Sequence, residues 1–125
     1  MSGLTLDAGA LIALEKGNPR LTALLDRAAA HKIPLAVPAN VIAQAWRGSP
    51  RQARLARLLN APEVEIVPVD GPTARAIGVL CGPTAVSDVV DVSVVLCARE
   101  RGHTLVTSDP DDLRGIDSTV PLIRL

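Results

Sequence analysis

Ser87-Asp88-Val89-Val90-Asp91-Val92-Ser93-Val94-Val95-Leu96-Cys97-Ala98-Arg99-Glu100-Arg101-Gly102-His103-Thr104-Leu105-Val106-Thr107-Ser108-Asp109 is the stretch that decides the fold. Residues 87–101 are apolar on nearly every side, which predicts a centrally buried helix closed by Gly102. Residues 104–107 then read as a short strand with Asp109 at its end, and Pro110 opens a short helical turn. A buried helix feeding a short strand is half of a parallel crossover.

The same alternation extends toward the N-terminus. Residues 4–6 predict a strand ending at Asp7, then a helix to about Lys16 stopped by Gly17. Asn18 caps a second helix with Pro19 in its first turn, and Leu21, Leu24, Leu25 and Ala28 give it an apolar stripe. A strand over 34–37 leads into a third helix from Pro38, with Val41, Ile42 and Ala45 inward and Gly48 at its end. Ser49-Pro50 starts a fourth helix running to about Asn60, and 64–69 is a strand. Asp70-Gly71-Pro72 opens a helix ending near Cys81-Gly82-Pro83, and 120–123 is the last strand. Strands separated by helices pair in parallel through right-handed crossovers. The expectation is one three-layer α/β/α domain over residues 1–125, with a mainly parallel central sheet.

Composition narrows the function. The 125 residues are 48% hydrophobic and 21% charged, so disorder is not expected. No apolar run is long enough to span a bilayer, and residues 1–7 lack a signal peptide's basic and apolar regions, so the expected location is cytoplasmic. Thirteen basic residues balance thirteen acidic ones, which argues against a nucleic-acid coat protein. Eleven of the thirteen basic residues are Arg, suited to bidentate pairing with carboxylate or phosphate. Trp46 is the one aromatic side chain, so an aromatic platform for stacking single-stranded bases is almost absent, and recognition of RNA is expected to rely on backbone and shape more than on stacking. Cys81 and Cys97 read as reduced core thiols, and His31 and His103 have no ligand neighbour at helical spacing.

The acids carry the chemistry. Ligands of open parallel sheets bind at the carboxyl ends of the strands. Asp7 and Asp109 both end strands there. Asp91 lies in the first turn of the apolar helix, where a carboxylate is costly unless paired or bound to a cation. Asp88 shares its helix face. An aspartate-only cluster is a hard oxygen site suited to Mg²⁺ or Mn²⁺, and such an ion can assist displacement at a phosphodiester. Each acid also has a plainer use. Asp7 and Asp109 suit helix N-caps, and Asp88 and Asp91 suit a helix N-terminus electrostatically. Capping and metal binding are compatible.

These motifs resemble those of the PIN-domain family. They are Leu4-Thr5-Leu6-Asp7, Asp91-Val92-Ser93-Val94-Val95-Leu96-Cys97-Ala98-Arg99-Glu100-Arg101-Gly102 and Leu105-Val106-Thr107-Ser108-Asp109. The length is similar to that of the compact VapC toxins of toxin–antitoxin pairs. The resemblance implies a Mg²⁺- or Mn²⁺-dependent endoribonuclease, homodimeric and blocked by a cognate antitoxin. Carried over residue by residue, it makes Asp7, Asp91 and Asp109 metal ligands and catalytic groups, with Asp88 and Asp112 as auxiliary acids. It also implies a glutamate on the third helix, where this chain has Gln44. That amide brings no charge. The alternative reading is a weakened or inactive PIN-like binding module.

Arg51, Arg54 and Arg57 recur every three residues opposite Leu55, Leu58 and Leu59, and Arg47 precedes them. This is either a solvated helix face or a stripe for RNA phosphates or an acidic partner. A phosphoacceptor domain would need an acidic pair after the first strand and a lysine near the last ones. Here Asp7 stands alone, and Lys16 and Lys32 both come early. No G-x-G-x-x-G follows the first strand, so a dinucleotide site is not expected either.

Overall fold

The computed structural model describes residues 2–84 and 88–125. Five strands form one sheet: β1 (Leu4–Leu6), β2 (Leu35–Pro38), β3 (Val64–Val67), β4 (Thr104–Thr107) and β5 (Leu122–Arg124). Their order is β3-β2-β1-β4-β5 and every pairing is parallel. The helices are α1 (Ala8–Glu15), α2 (Pro19–Ala30), α3 (Ala39–Ala45), α4 (Ala53–Leu59), α5 (Gly71–Thr84), α6 (Val89–Arg101) and α7 (Pro110–Arg114). The chain moves outward from β1 to β3, then crosses back to β4 and β5. Right-handed connections therefore put α1, α2 and α4 on one face and α5, α6 and α7 on the other. The packing agrees: α1 touches α2 and α4, while α6 touches α5 and α7. The three-layer α/β/α expectation holds.

The core is aliphatic. Leu4 and Leu6 of β1, Leu105 and Val106 of β4, and Val92, Val94 and Val95 of α6 are fully or almost fully buried. Burial from Val92 to Ala98 runs without a break, as expected for a helix apolar all round. Gly102 ends α6 with φ +65°, the left-handed cap that glycine adopts without a Cβ penalty. The start expected at Ser87 lies outside the described residues. Asp88 caps α6, accepting from Val90 N and Asp91 N.

Several boundaries differ from expectation, each for a local reason. β3 ends at Val67 rather than 69 because Pro68 has no N–H for the ladder. β2 covers Leu35–Pro38 instead of 34–37, with the Pro34 carbonyl accepting from Leu4 N. β5 starts at Leu122 rather than 120, after Pro121, whose carbonyl takes the Leu105 N–H. The fourth helix opens with a 3-10 turn, Pro50–Gln52, capped by Ser49. α3 stops at Ala45 and does not reach Gly48. The buried Gln52 explains that stop. Its Oε1 accepts from Arg47 N (2.8 Å) and Gly48 N (3.1 Å), and its Nε2 donates to Ala45 O (2.8 Å). One amide thus satisfies the groups that another helical turn would have used.

His103 is buried beneath β1 with its Nδ1 3.1 Å from Thr5 Oγ1. Burial lowers its pKa, with Arg101 adding to the effect. Cys97 is buried, which fits a core thiol, and Cys81 is half-buried.

Candidate metal centre

β1 and β4 are neighbours at the point where the connections change direction, so their carboxyl ends open a crevice. The structure lines one cleft of about 310 Å³ with Asp7, Asp88, Asp91, Asp109, Asp112 and Gln44. All six sequence-selected residues for this site meet there. Among the described residues neither Lys nor Arg contributes to the walls.

Asp7 follows β1 and caps α1, accepting from Ala10 N at 2.8 Å. It is buried, and desolvation raises its pKa against the opposing bonds from Thr107 and Ala10. Asp109 follows β4. It occupies the N-cap position of α7, yet its side chain makes no cap bond. Capping therefore does not occupy that carboxylate. Asp91 is half-buried in the first turn of α6, and its pKa is pushed up to about 6. Desolvation is the main cause, followed by the fields of Asp88, Asp112, Asp7 and Asp109. Asp88 caps α6 through Oδ1, and Asp112 lies in the first turn of α7. Gln44 reaches the cleft from α3, which touches both α1 and α6 and so bridges the rim.

Sequence reasoning assigned no role to Thr107, which the structure makes central. It is fully buried at the end of β4. Its Oγ1 accepts from Asp109 N at 2.8 Å, and it hydrogen-bonds to Asp7. One hydroxyl thereby sets the spacing of two acids. The available signal was a Thr at the carboxyl end of a buried strand, two residues before Asp109. Thr107→Val keeps the shape and removes the hydroxyl. We expect it to cost about 1–3 kcal/mol through the unsatisfied groups and to weaken Mn²⁺ binding, read by calorimetry. Parental stability and affinity would show that the hydroxyl has no such role.

The donor chemistry suits a hard divalent cation: carboxylate oxygens, an amide and the Ser108 hydroxyl, without thiol or imidazole among the described residues of the walls. As the side chains stand, among the described residues no three His, Cys, Asp or Glu close into a ligand cluster. The like charges of Asp88, Asp112, Asp7 and Asp109 contribute to the elevated Asp91 pKa.

The basic residues lie elsewhere. Arg54 and Arg57 line a separate groove of about 370 Å³ with Leu14, Leu25 and Leu58 of α1, α2 and α4. Arg51 is exposed on the 3-10 turn. Arg47 turns its Nη1 onto the carbonyls of Ala43 and Trp46. Among the described residues none of these four forms an ion pair with a carboxylate.

The family model of the PIN domain matches residues 4–118. No curated protein matches the chain. Solved structures share the fold. The VapBC2 complex from Rickettsia felis, bound to a DNA fragment from its promoter, aligns with TM-score 0.73 at 17% identity, over 97% of this chain and 97% of that one. A FitAB complex bound to the IR36 DNA fragment gives 0.65 at 16% identity, over 97% and 94%. FitAcB from Neisseria gonorrhoeae gives 0.63 at 20% identity, over 97% and 96%.

Proposed function

The chain belongs to the PIN-domain family, and from that premise we propose that it is a Mg²⁺- or Mn²⁺-dependent endoribonuclease, the toxin of a toxin–antitoxin pair. The observation that carries the proposal is a cleft walled, among the described residues, by five aspartates and no cationic side chain. A phosphodiester cannot approach that much like charge unless divalent cations neutralise it. Asp7, Asp91 and Asp109 are the proposed ligands and catalytic groups, with Asp88, Asp112 and Gln44 in support. When bound, the ion neutralises phosphate charge and supplies an activated water.

The protein's own contribution is orientation and proton control. Asp7 is held by Ala10 N and by Thr107, so its lone pairs are fixed before substrate arrives. Asp91 keeps its proton more readily than an ordinary aspartate and gives it up when a cation enters. Arg47, Arg51, Arg54 and Arg57 are proposed to meet RNA phosphates or an acidic stretch of the antitoxin. Assembly with an antitoxin rests on the likeness to the VapBC2 and FitAB complexes. A homodimer in the cytoplasm completes the proposal. No helix among the described residues is long and apolar enough to cross a membrane.

A second reading, a PIN-like binding module of little or no activity, is favoured by Gln44. The amide stands in the cleft where the resemblance implies a glutamate. Gln44→Glu separates the two readings. A further carboxylate should lower apo stability by repulsion, raise the melting temperature once Mn²⁺ is added, and increase cleavage at limiting metal. Metal-dependent cleavage of single-stranded RNA by the purified parent, lost in Asp91→Asn, establishes the enzyme. Absence of cleavage in both the parent and Gln44→Glu establishes the binding module.

A further inference from the structure

The only aromatic side chain of the protein is placed on its surface. Trp46 is 39% exposed. Indoles usually bury most of their large apolar area. It lines a groove of about 260 Å³ with Ile42, Ala56, Leu59, Asn60 and Ile66. Asn60 donates one Nδ2 hydrogen to Ala56 O at 2.9 Å, which orients the amide and leaves Oδ1 as an acceptor. Arg47 Nη1 donates to the backbone carbonyls of Trp46 at 2.7 Å and Ala43 at 3.4 Å, so a cation is held at the C-terminal end of α3. The groove walls contain no carboxylate. Glu65, next to Ile66 in the chain, is neutralised by a bidentate pair with Arg101.

We infer that Trp46 and this groove stack one nucleobase of a single-stranded RNA substrate, close along the strand to the phosphate that is cut. This rests on the ribonuclease reading above. The chemistry is that of single-strand recognition: an aromatic face for the base, a cation for the adjoining phosphate and an amide acceptor for a base N–H. Position supports it. Gln44 lines the acidic cleft and Trp46 follows two residues later. Two Cα–Cα steps span at most about 7.6 Å and residues two apart point to opposite sides of a helix, so the cleft and the groove flank the C-terminal end of α3 from its two sides. A strand leaving the cleft around that end passes the Arg47 cation on its way to the indole. A second copy of the chain is the rival occupant. Symmetric contact there would set the fixed Arg47 cation against an identical patch with no carboxylate to receive it, whereas a polyanion complements it.

Because Trp46 is unique, intrinsic fluorescence reports on this site alone. The Asp91→Asn protein, with Mn²⁺ present, is titrated with a short single-stranded oligoribonucleotide, while parent, Trp46→Leu and Trp46→Phe are assayed for cleavage of the same RNA. The inference expects saturable quenching of the indole. It also expects KM for Trp46→Leu to rise about five- to a hundred-fold with kcat little changed, and Trp46→Phe to recover part of the loss. Cleavage by the parent with unchanged emission at saturating RNA, and parental KM in Trp46→Leu, overturns it. Emission that shifts with protein concentration alone and ignores RNA also overturns it and assigns the groove to a second copy. Quenching without cleavage by the parent leaves the stacking site standing and sinks the ribonuclease reading.

Discussion

Asp91→Asn is expected to lower metal-dependent RNA cleavage by on the order of a hundred- to a thousand-fold, the scale for losing one preorganised electrostatic group, while making the metal-free protein more stable at neutral pH. The two effects have one origin. Folding places the Asp91 carboxylate in a half-buried position facing four other acids, and its pKa rises from 3.8 to about 6. The folded state therefore holds this proton more tightly than the unfolded chain does. That stabilising contribution is fully present below pH 3.8, is lost as pH rises toward about 6, and stays lost above it. Asparagine does not titrate. In a chelator, the variant should gain on the parent between these limits and keep the gain at higher pH. Solvent screening at a partly open site holds that gain to about 1 kcal/mol. Mn²⁺ should reverse the order, stabilising the parent far more than the variant, with proton release on binding below about pH 6. Melting curves from pH 4 to 8, with and without Mn²⁺, together with a cleavage assay, read all of this. A variant that cleaves like the parent, or whose pH profile superimposes on the parent's, removes Asp91 from the proposed site.

The second large effect comes from a residue with no part in the chemistry. Gln52 is 3% exposed and bonds three backbone groups at the end of α3, at Ala45, Arg47 and Gly48. Gln52→Leu keeps most of the volume and strands two N–H groups and a carbonyl. At about 1–3 kcal/mol for each unsatisfied group, and with partial access of water to two of them, the net loss should be about 3 kcal/mol. Because Gln44 and Trp46 flank this end of α3, KM for RNA should rise even under conditions where the variant remains folded. Gln52→Glu distinguishes polar satisfaction from packing. Its protonated form can still donate to Ala45 O, whereas its carboxylate cannot and pays for burial. That variant should be least impaired at low pH and worsen as pH rises. If Gln52→Leu melts with the parent, the three bonds contribute nothing net, and the early stop of α3 needs another cause.

The local code of this protein was legible in its sequence. The apolar run from Val92 to Ala98 fixes a buried helix because no orientation of it can face water. Gly102, Asn18 with Pro19, and Asp70 mark helix ends because backbone groups there need a left-handed residue or a side-chain acceptor. Alternation of strands and helices implied parallel pairing, and parallel pairing implied a ligand cleft at the carboxyl ends, where Asp7 and Asp109 stand. Prolines misled the strand boundaries by one or two residues, since their effect depends on which side of the strand is paired.

Tertiary structure alone decided what depends on contacts distant in sequence. Whether Asp109 would spend its carboxylate on a cap could not be read locally, because Thr107 and Asp7 compete for that neighbourhood through β1–β4 pairing. The elevated Asp91 pKa arises from burial and from acids on β1, α7 and its own helix, which only packing brings within range. Gln52 looked like any polar residue in a basic stretch, since the broken helix end it satisfies exists only once the chain has turned. The stripe Arg51, Arg54 and Arg57 was visible as a periodicity, but its separation from the acidic cleft was not. A helical period fixes which residues share a face. The surface that face looks onto is fixed by the long-range contacts that close the fold.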